Sequence, residues 1–124
     1  MIARQILFIA AGSAIGGVLR FLISRWMNIL VVSSFPFGTL IVNLAGCFLI
    51  GLIYALALKN STVSPTLILF LTTGFCGGFT TFSAFSYENL QLLKSGAYMF
   101  ALTYALVSVI GGIALTFLGF QIIK

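Results

Sequence analysis

The sequence predicts an all-α integral membrane protein: four transmembrane helices, the third broken at mid-membrane, assembled as an antiparallel dual-topology homodimer. Three observations predict it. Four long apolar runs fill nearly the whole chain, and a glycine- and hydroxyl-rich stretch at residues 74–86 interrupts the third. The basic residues divide evenly between the two sides that four spans define. Only 6% of residues are charged and 61% are hydrophobic, where a soluble domain carries about 25% charged residues. No polar stretch is long enough for a soluble domain, so residues 1–124 are expected to form a single four-helix transmembrane domain. The apolar runs are continuous rather than alternating, which excludes a transmembrane β-barrel.

A helix crossing ~30 Å of hydrocarbon needs roughly 20 residues. The first span, residues 2–23, exceeds the roughly 7–15-residue core of a cleavable signal, and no clear small-residue cleavage site follows it. Gly12 and Gly16, with Ser13, Ala14 and Gly17, give it a small-residue face suited to close helix approach. Arg20 near its end either draws anions to a vestibule or snorkels to the headgroups. The second span, residues 38–58, carries Asn43 at about five residues, or ~7 Å, from its centre. A buried amide brings two N–H donors and an acceptor that are costly to leave unpaired. It reads equally as a helix–helix hydrogen bond or as a contact to a bound ion.

The third span, residues 67–89, has its midpoint at Gly78. Residues 74–86 hold three glycines and four hydroxyl side chains, Thr80, Thr81, Ser83 and Ser86. Irregular backbone survives at that depth only when it is buried in protein or lines a polar cavity. A broken helix frees carbonyls at one half-end, suited to a small cation such as Na⁺, and N–H groups at the other, suited to an anion. The competing reading is a glycine face for close packing. Phe82 and Phe85 lie three apart and share a helix face. Their electropositive ring edges could contact a small anion. In the fourth span, residues 97–123, Tyr104, Ser108, Gly112 and Thr116 form a slowly drifting stripe, either a polar track or an interhelical packing face. The connections, 24–37, 59–66 and 90–96, are short and carry turn formers or charge.

Four spans put both termini on one side, with Arg4, Lys59 and Lys124. The other side holds Arg20, Arg25 and Lys94. Orientation normally follows an excess of Lys and Arg on the cytoplasmic side. Three against three gives no such excess, so copies inserted both ways and paired antiparallel are expected. Four helices alone also leave little room for a path, which again points to an oligomer.

The chemistry is limited. Glu88 is the one acidic residue and histidine is absent, so a proton-coupled site at the membrane centre lacks its carrier. Cys47 and Cys76 both fall inside spans, without the ligand cluster that zinc needs. The parts for nucleophilic or metal catalysis are missing, so no enzyme is expected. The scattered basic residues suit membrane flanks rather than nucleic acid. Amides, hydroxyls, ring edges and backbone dipoles suit an anion better than a cation.

These residues together resemble the Fluc (CrcB) family of small fluoride channels. The likeness rests on Gly-Phe-Cys-Gly-Gly-Phe-Thr-Thr-Phe-Ser-Ala-Phe-Ser at residues 74–86, followed by Glu88. Gly16-Gly17-Val-Leu-Arg20 and Gly38-Thr39-Leu-Ile-Val-Asn43-Leu-Ala-Gly46 reinforce it, and Tyr104, Ser108 and Thr116 complete it. The resemblance implies a fluoride-selective passive channel of the cytoplasmic (inner) membrane that relieves fluoride toxicity, an antiparallel homodimer with two pores. It implies fluoride-pore roles for Asn43, Thr81, Phe82, Ser83, Phe85, Tyr104, Ser108 and Thr116, and Arg20 at a vestibule. It further implies a structural Na⁺ at the dimer centre, held by the backbone carbonyls of Gly77 and Thr80. Ala84 stands where the family often has Thr, and Gly112 where many members have Ser, which removes one hydroxyl from the track. The alternatives are a small dimeric multidrug or cation exporter, which needs a buried carboxylate, and a non-transporting membrane subunit.

Overall fold

Apolar side chains on these helices are satisfied by lipid, so what holds helix to helix is close contact between small residues. The computed structural model describes residues 1–123; Lys124, counted above among the basic residues, lies outside the described residues. Four helical stretches are long and apolar enough to cross a membrane: α1 (Ile2–Leu30), α2 (Phe37–Lys59), α3 (Pro65–Lys94) and α4 (Tyr98–Ile123). The chain is a multi-pass, all-helical membrane protein.

Helix ends depart from the expected spans where polarity and helix-breaking differ. Residues 24–30, expected as connection, continue α1 to Leu30. Ser24, Arg25 and Asn28 are polar enough to leave hydrocarbon, but no glycine or proline stops the helix before Pro36. Residues 90–94 likewise belong to α3, which ends at Lys94, with Gly96 just beyond its cap. Gly96 takes φ 82°, a conformation that favours glycine. The Ala97 N–H donates to the Leu92 carbonyl at 2.9 Å and the Gly96 N–H to Leu93 at 3.2 Å, the paired bonds of a Schellman cap. At its other end α3 starts with Pro65 in the first turn, and Ser64 Oγ accepts from the Thr66 N–H at 3.2 Å.

Packing falls into two close pairs, α1 with the first half of α3 and α2 with the last half of α4. The buried residues of α1 are Gly12 and Gly16. A Cβ on Gly12 would meet the Phe70 carbonyl oxygen at 2.5 Å, and one on Gly16 would collide with the Phe75 carbonyl and Phe79 N–H. From the facing side, a Cβ on Gly78 would lie 2.5 Å from the Ser13 carbonyl. The small-residue face of the first span is thus occupied within the chain, by α3. Gly51 and Gly119 play the same part between α2 and α4. Two π-helical turns, Phe70–Cys76 and Val107–Gly111, widen α3 and α4 locally.

Gly16→Ala is expected to lower the thermal unfolding midpoint in detergent, because overpacking against backbone costs about 1–3 kcal/mol. Gly17→Ala is expected to leave it unchanged or raise it, since a Cβ there meets just one atom, at 3.9 Å. Equal melting of the two variants would mean that backbone contact does not join α1 to α3.

Candidate functional site

A helix surrounded by hydrocarbon stops safely only if its freed peptide groups find other partners. Thr80 (φ −94°, ψ 159°) and Thr81 (φ −153°, ψ 122°) are extended, between the helical turn Gly77–Phe79 and the helix Phe82–Lys94. Asn43 of α2 meets them. Its Nδ2 donates to the Thr81 carbonyl at 3.0 Å, and its Oδ1 accepts from the Thr81 N–H at 2.8 Å. A side-chain amide thereby pairs with a peptide group as two strands would, and the pairing dictates which end of the amide carries the oxygen. One Nδ2–H is left over.

Other freed groups are handled nearby. Arg20 Nε donates to the Gly78 carbonyl at 3.1 Å, an acceptor that a continuous helix would pair with the Phe82 N–H. Thr81 Oγ1 accepts from the Ala84 N–H at 3.2 Å and lies 3.1 Å from Ser83 Oγ. This is an N-cap, and it restarts the helix. The Phe82 and Ser83 N–H groups are first-turn donors, which a helix leaves without an intrahelical acceptor.

Past the restart, the Phe82 and Phe85 rings stand 5.6 Å apart, and Phe85 lies 4.8 Å from the Tyr104 ring. Phe82 is 77% exposed, whereas Phe85 packs against the buried cluster of Leu40, Leu92, Ala101 and Tyr104. Tyr104 is fully buried, and its hydroxyl donates to Glu88 Oε1 at 2.8 Å; Thr39 Oγ1 donates to Oε2 at 2.8 Å. The single carboxylate therefore faces inward with both oxygens held. Sequence reasoning left Glu88 without a role and missed Thr39. A signal existed: Thr39 lies four residues before Asn43 and Glu88 three after Phe85, so each shares a face with a residue the sequence singles out.

A groove along α2 and α4 joins much of this. One cavity of about 390 Å³ is lined by Asn43, Gly77, Thr80, Thr81, Phe82, Phe85 and Ser108 among others. A second, of about 530 Å³, holds Gly112 and Thr116, and Cys47, Ser108 and Val109 line both. No charged residue lines either cavity among the described residues. The Ser108 hydroxyl is buried with no partner, while Thr116 Oγ1 donates to the Cys47 carbonyl at 2.9 Å. A separate polar cavity of about 790 Å³ opens near the end of α3, lined by Asn28, Glu88, Gln91 and Lys94 among others. The groove thus gathers Asn43, Thr81, Phe82, Phe85, Ser108 and Thr116. Tyr104 sits behind Phe85, Ser83 is exposed beside Thr81, and Arg20 lines none of these cavities.

Asn43→Leu is expected to leave both Thr81 peptide groups unpaired, at about 1–3 kcal/mol for each. Amide hydrogen exchange should then quicken at Thr81 and its neighbours while α1 stays protected. Unchanged exchange at Thr81 would show that the amide does not hold the interruption. Tyr104→Phe removes one of the two Glu88 donors and should cost about 1.5–3 kcal/mol, the range for a hydrogen bond to a charged group. A Thr39→Val, Tyr104→Phe double-mutant cycle reads the coupling; strict additivity would mean that the two hydroxyls act independently.

Known proteins place these features in context. The family model described as CrcB-like protein, Camphor Resistance (CrcB), matches residues 7–120. A Leptospira interrogans protein named fluoride-specific ion channel FluC is 47% identical over 98% of this chain and 96% of its own length. One of the same name from Chlorobium phaeobacteroides is 48% identical over 96% of this chain and 92% of its own. A third, from Flavobacterium psychrophilum, is 46% identical over 98% of both chains. With a match that spans the interruption, its Asn43 partner and the α4 stripe alike, this chain belongs to the CrcB-like family.

Proposed function

We propose that the protein is a passive, fluoride-selective channel that lets fluoride out of the cytoplasm across the inner membrane. The observation that carries this reading is the uncharged groove, in which amide, hydroxyl and ring-edge groups converge. Fluoride is small and strongly hydrated, so a path must replace its water with several donors. Fixed positive charge in the groove would hold the ion too long, whereas several weak sites let it enter and leave. The relatives named fluoride-specific ion channels, nearly half identical along almost the full chain, agree with that chemistry.

In this reading Asn43 offers its free Nδ2–H, Ser108 its unpartnered hydroxyl, and Phe82 and Phe85 their ring edges. Thr81 and Ser83 contribute at the helix restart, with Tyr104 and Thr116 as the remaining hydroxyls of the track. Arg20 acts through the Gly78 carbonyl as well as by its charge. The working unit is an antiparallel, dual-topology homodimer with two pores, and the α3 interruption lies at mid-membrane. Exposure of Phe82 and Gly77 on a single chain supports it, because a second copy over this face would cover both.

Gly77 and Thr80 suit a Na⁺ at the dimer centre. The Thr81 N–H that would close a helical turn onto the Gly77 carbonyl donates to Asn43 instead. Gly77 is exposed, so carbonyls of two copies could face one hard cation, which would offset their mutual repulsion.

A cation exporter gains one observation, the half-buried Glu88. Both its oxygens, however, already accept from hydroxyls, and it lines the polar cavity rather than the groove.

Liposomes reconstituted with purified protein, loaded with fluoride and given a K⁺ shunt, are expected to release fluoride quickly and chloride little, read by ion electrodes. Phe82→Ile should slow release by about tenfold or more, the factor that ~1.4 kcal/mol at the barrier produces. No fluoride release from well-folded dimer would sink the channel reading. Release of an organic cation in its place would favour the exporter.

A further inference from the structure

The position where α4 lacks a hydroxyl faces a thiol. A Cβ built on Gly112 would stand 3.2 Å from Cys47 Sγ, so Cys47 of α2 closes against that site. Cys47 also lines both cavities of the groove and so stands where they meet. The unpartnered Ser108 hydroxyl shares that junction, and Thr116 is tied to the Cys47 carbonyl on the far side. Cys76, from the π-helical turn of α3, lines the first cavity as well. Two free cysteines on two different helices therefore border one space of about 390 Å³.

Among the described residues no three His, Cys, Asp or Glu side chains gather to hold a metal. Metals that want four ligands, such as structural zinc, are poorly served. Soft d¹⁰ cations differ. They prefer sulfur to oxygen and are content with two thiolates in a near-linear arrangement. The surrounding hydroxyls and amide compete weakly for such an ion.

We propose that Cys47 and Cys76 form an inhibitory site for soft thiophilic cations, with Hg²⁺ as the type case, inside the ion groove. The site rests on the channel reading for its effect on flux, though not for its binding chemistry. Each thiol gives up its proton to water as an S–Hg bond forms, so one Hg²⁺ displaces two protons and no electrons are transferred. The bound ion narrows the groove at the junction of its two cavities. With both protons gone the mercury bis-thiolate carries no net charge, so it blocks by filling space between the two thiols rather than by trapping the anion.

The test uses full-length dimer in proteoliposomes, with Cys47→Ser, Cys76→Ser and the double variant. Each is compared with its own release rate before mercury. Protein-bound mercury is counted separately after desalting. Micromolar Hg²⁺ is expected to slow wild-type fluoride release by about tenfold or more, with about one mercury retained per chain, since the thiolates supply the affinity. Excess dithiothreitol should restore release. The double variant should keep its own rate and retain little mercury, and each single variant should need more Hg²⁺ for the same block. Undiminished release by wild type in Hg²⁺ would overturn the site and leave the channel standing. Block persisting in the double variant would place the mercury elsewhere and also overturn it. If no chain releases fluoride even before mercury, the channel reading fails; the mercury count on folded protein then still decides the thiol pair. Should the double variant not fold, loss of bound mercury in the two single variants reads the same question.

Discussion

The two hydrogen bonds between the Asn43 amide and the Thr81 peptide are the constraint on which the site depends. Apolar surroundings offer no water to an unpaired N–H or carbonyl, so an interrupted helix must find every substitute partner within the protein. Asn43 serves the peptide on both sides at once, Arg20 takes the Gly78 carbonyl, and the Thr81 hydroxyl caps the restarted helix. Take away the amide, and the Thr81 N–H and carbonyl both lose their partners. Because Thr81 is held, Phe82 and Phe85 start a new helix with a defined rotation and reach the groove beside Asn43 and Ser108. Local backbone geometry and the placement of the aromatic pair are consequences of one pairing.

That pairing needs α2 and α3 close together, and Gly46 of α2 permits it, since a Cβ there would collide with Thr80 Cγ2. In a water-soluble bundle large apolar side chains would fill the interior. Here many of them point outward, where lipid suits them, and much of the interior is glycine, threonine and alanine. Contact of backbone with backbone along α1–α3 and α2–α4 gives dense packing without a hydrophobic driving force. It also brings main-chain carbonyls within reach of side-chain donors, as in the Ser13 hydroxyl to Gly74 bond at 3.3 Å and the Thr116 bond to Cys47. Small residues thus both join the helices and expose the acceptors that commit the hydroxyls.

Much of this was legible in the sequence. Apolar run length is set by bilayer thickness, so four spans follow from counting, and a glycine cluster amid hydroxyl residues advertises unusual backbone. The end of α1 was less legible, because Ser24 and Arg25 mark the edge of hydrocarbon and say nothing about where helix stops. Hydroxyl partners were illegible for a different reason. Tyr104, Thr116 and Ser108 share one stripe, yet the first donates to Glu88, the second to a carbonyl and the third to nothing. Periodicity places a hydroxyl on a face; its acceptor is decided by the opposing helix. The partners of Glu88 were not legible because its two donors come from α2 and α4.

The distribution of committed and free donors bears on how a groove can pass an anion. Of the hydroxyls proposed for the track, Tyr104 and Thr116 already donate elsewhere, and Thr81 accepts as a cap. What remains free is the second Asn43 N–H, Ser108, the Phe82 and Ser83 amides of the first turn, and the aromatic edges. None carries a formal charge. Bonds from these donors to an anion are charge-assisted by the ion alone, and without a fixed countercharge to hold it the ion can leave as easily as it arrives. The one carboxylate is kept apart from them, its oxygens held by Thr39 and Tyr104 beside the polar cavity. Were Glu88 turned into the groove, its like charge would oppose an anion there by about 4 kcal/mol at 4 Å for an effective dielectric of 20. Holding that carboxylate aside is therefore as much a part of the groove's chemistry as the donors within it.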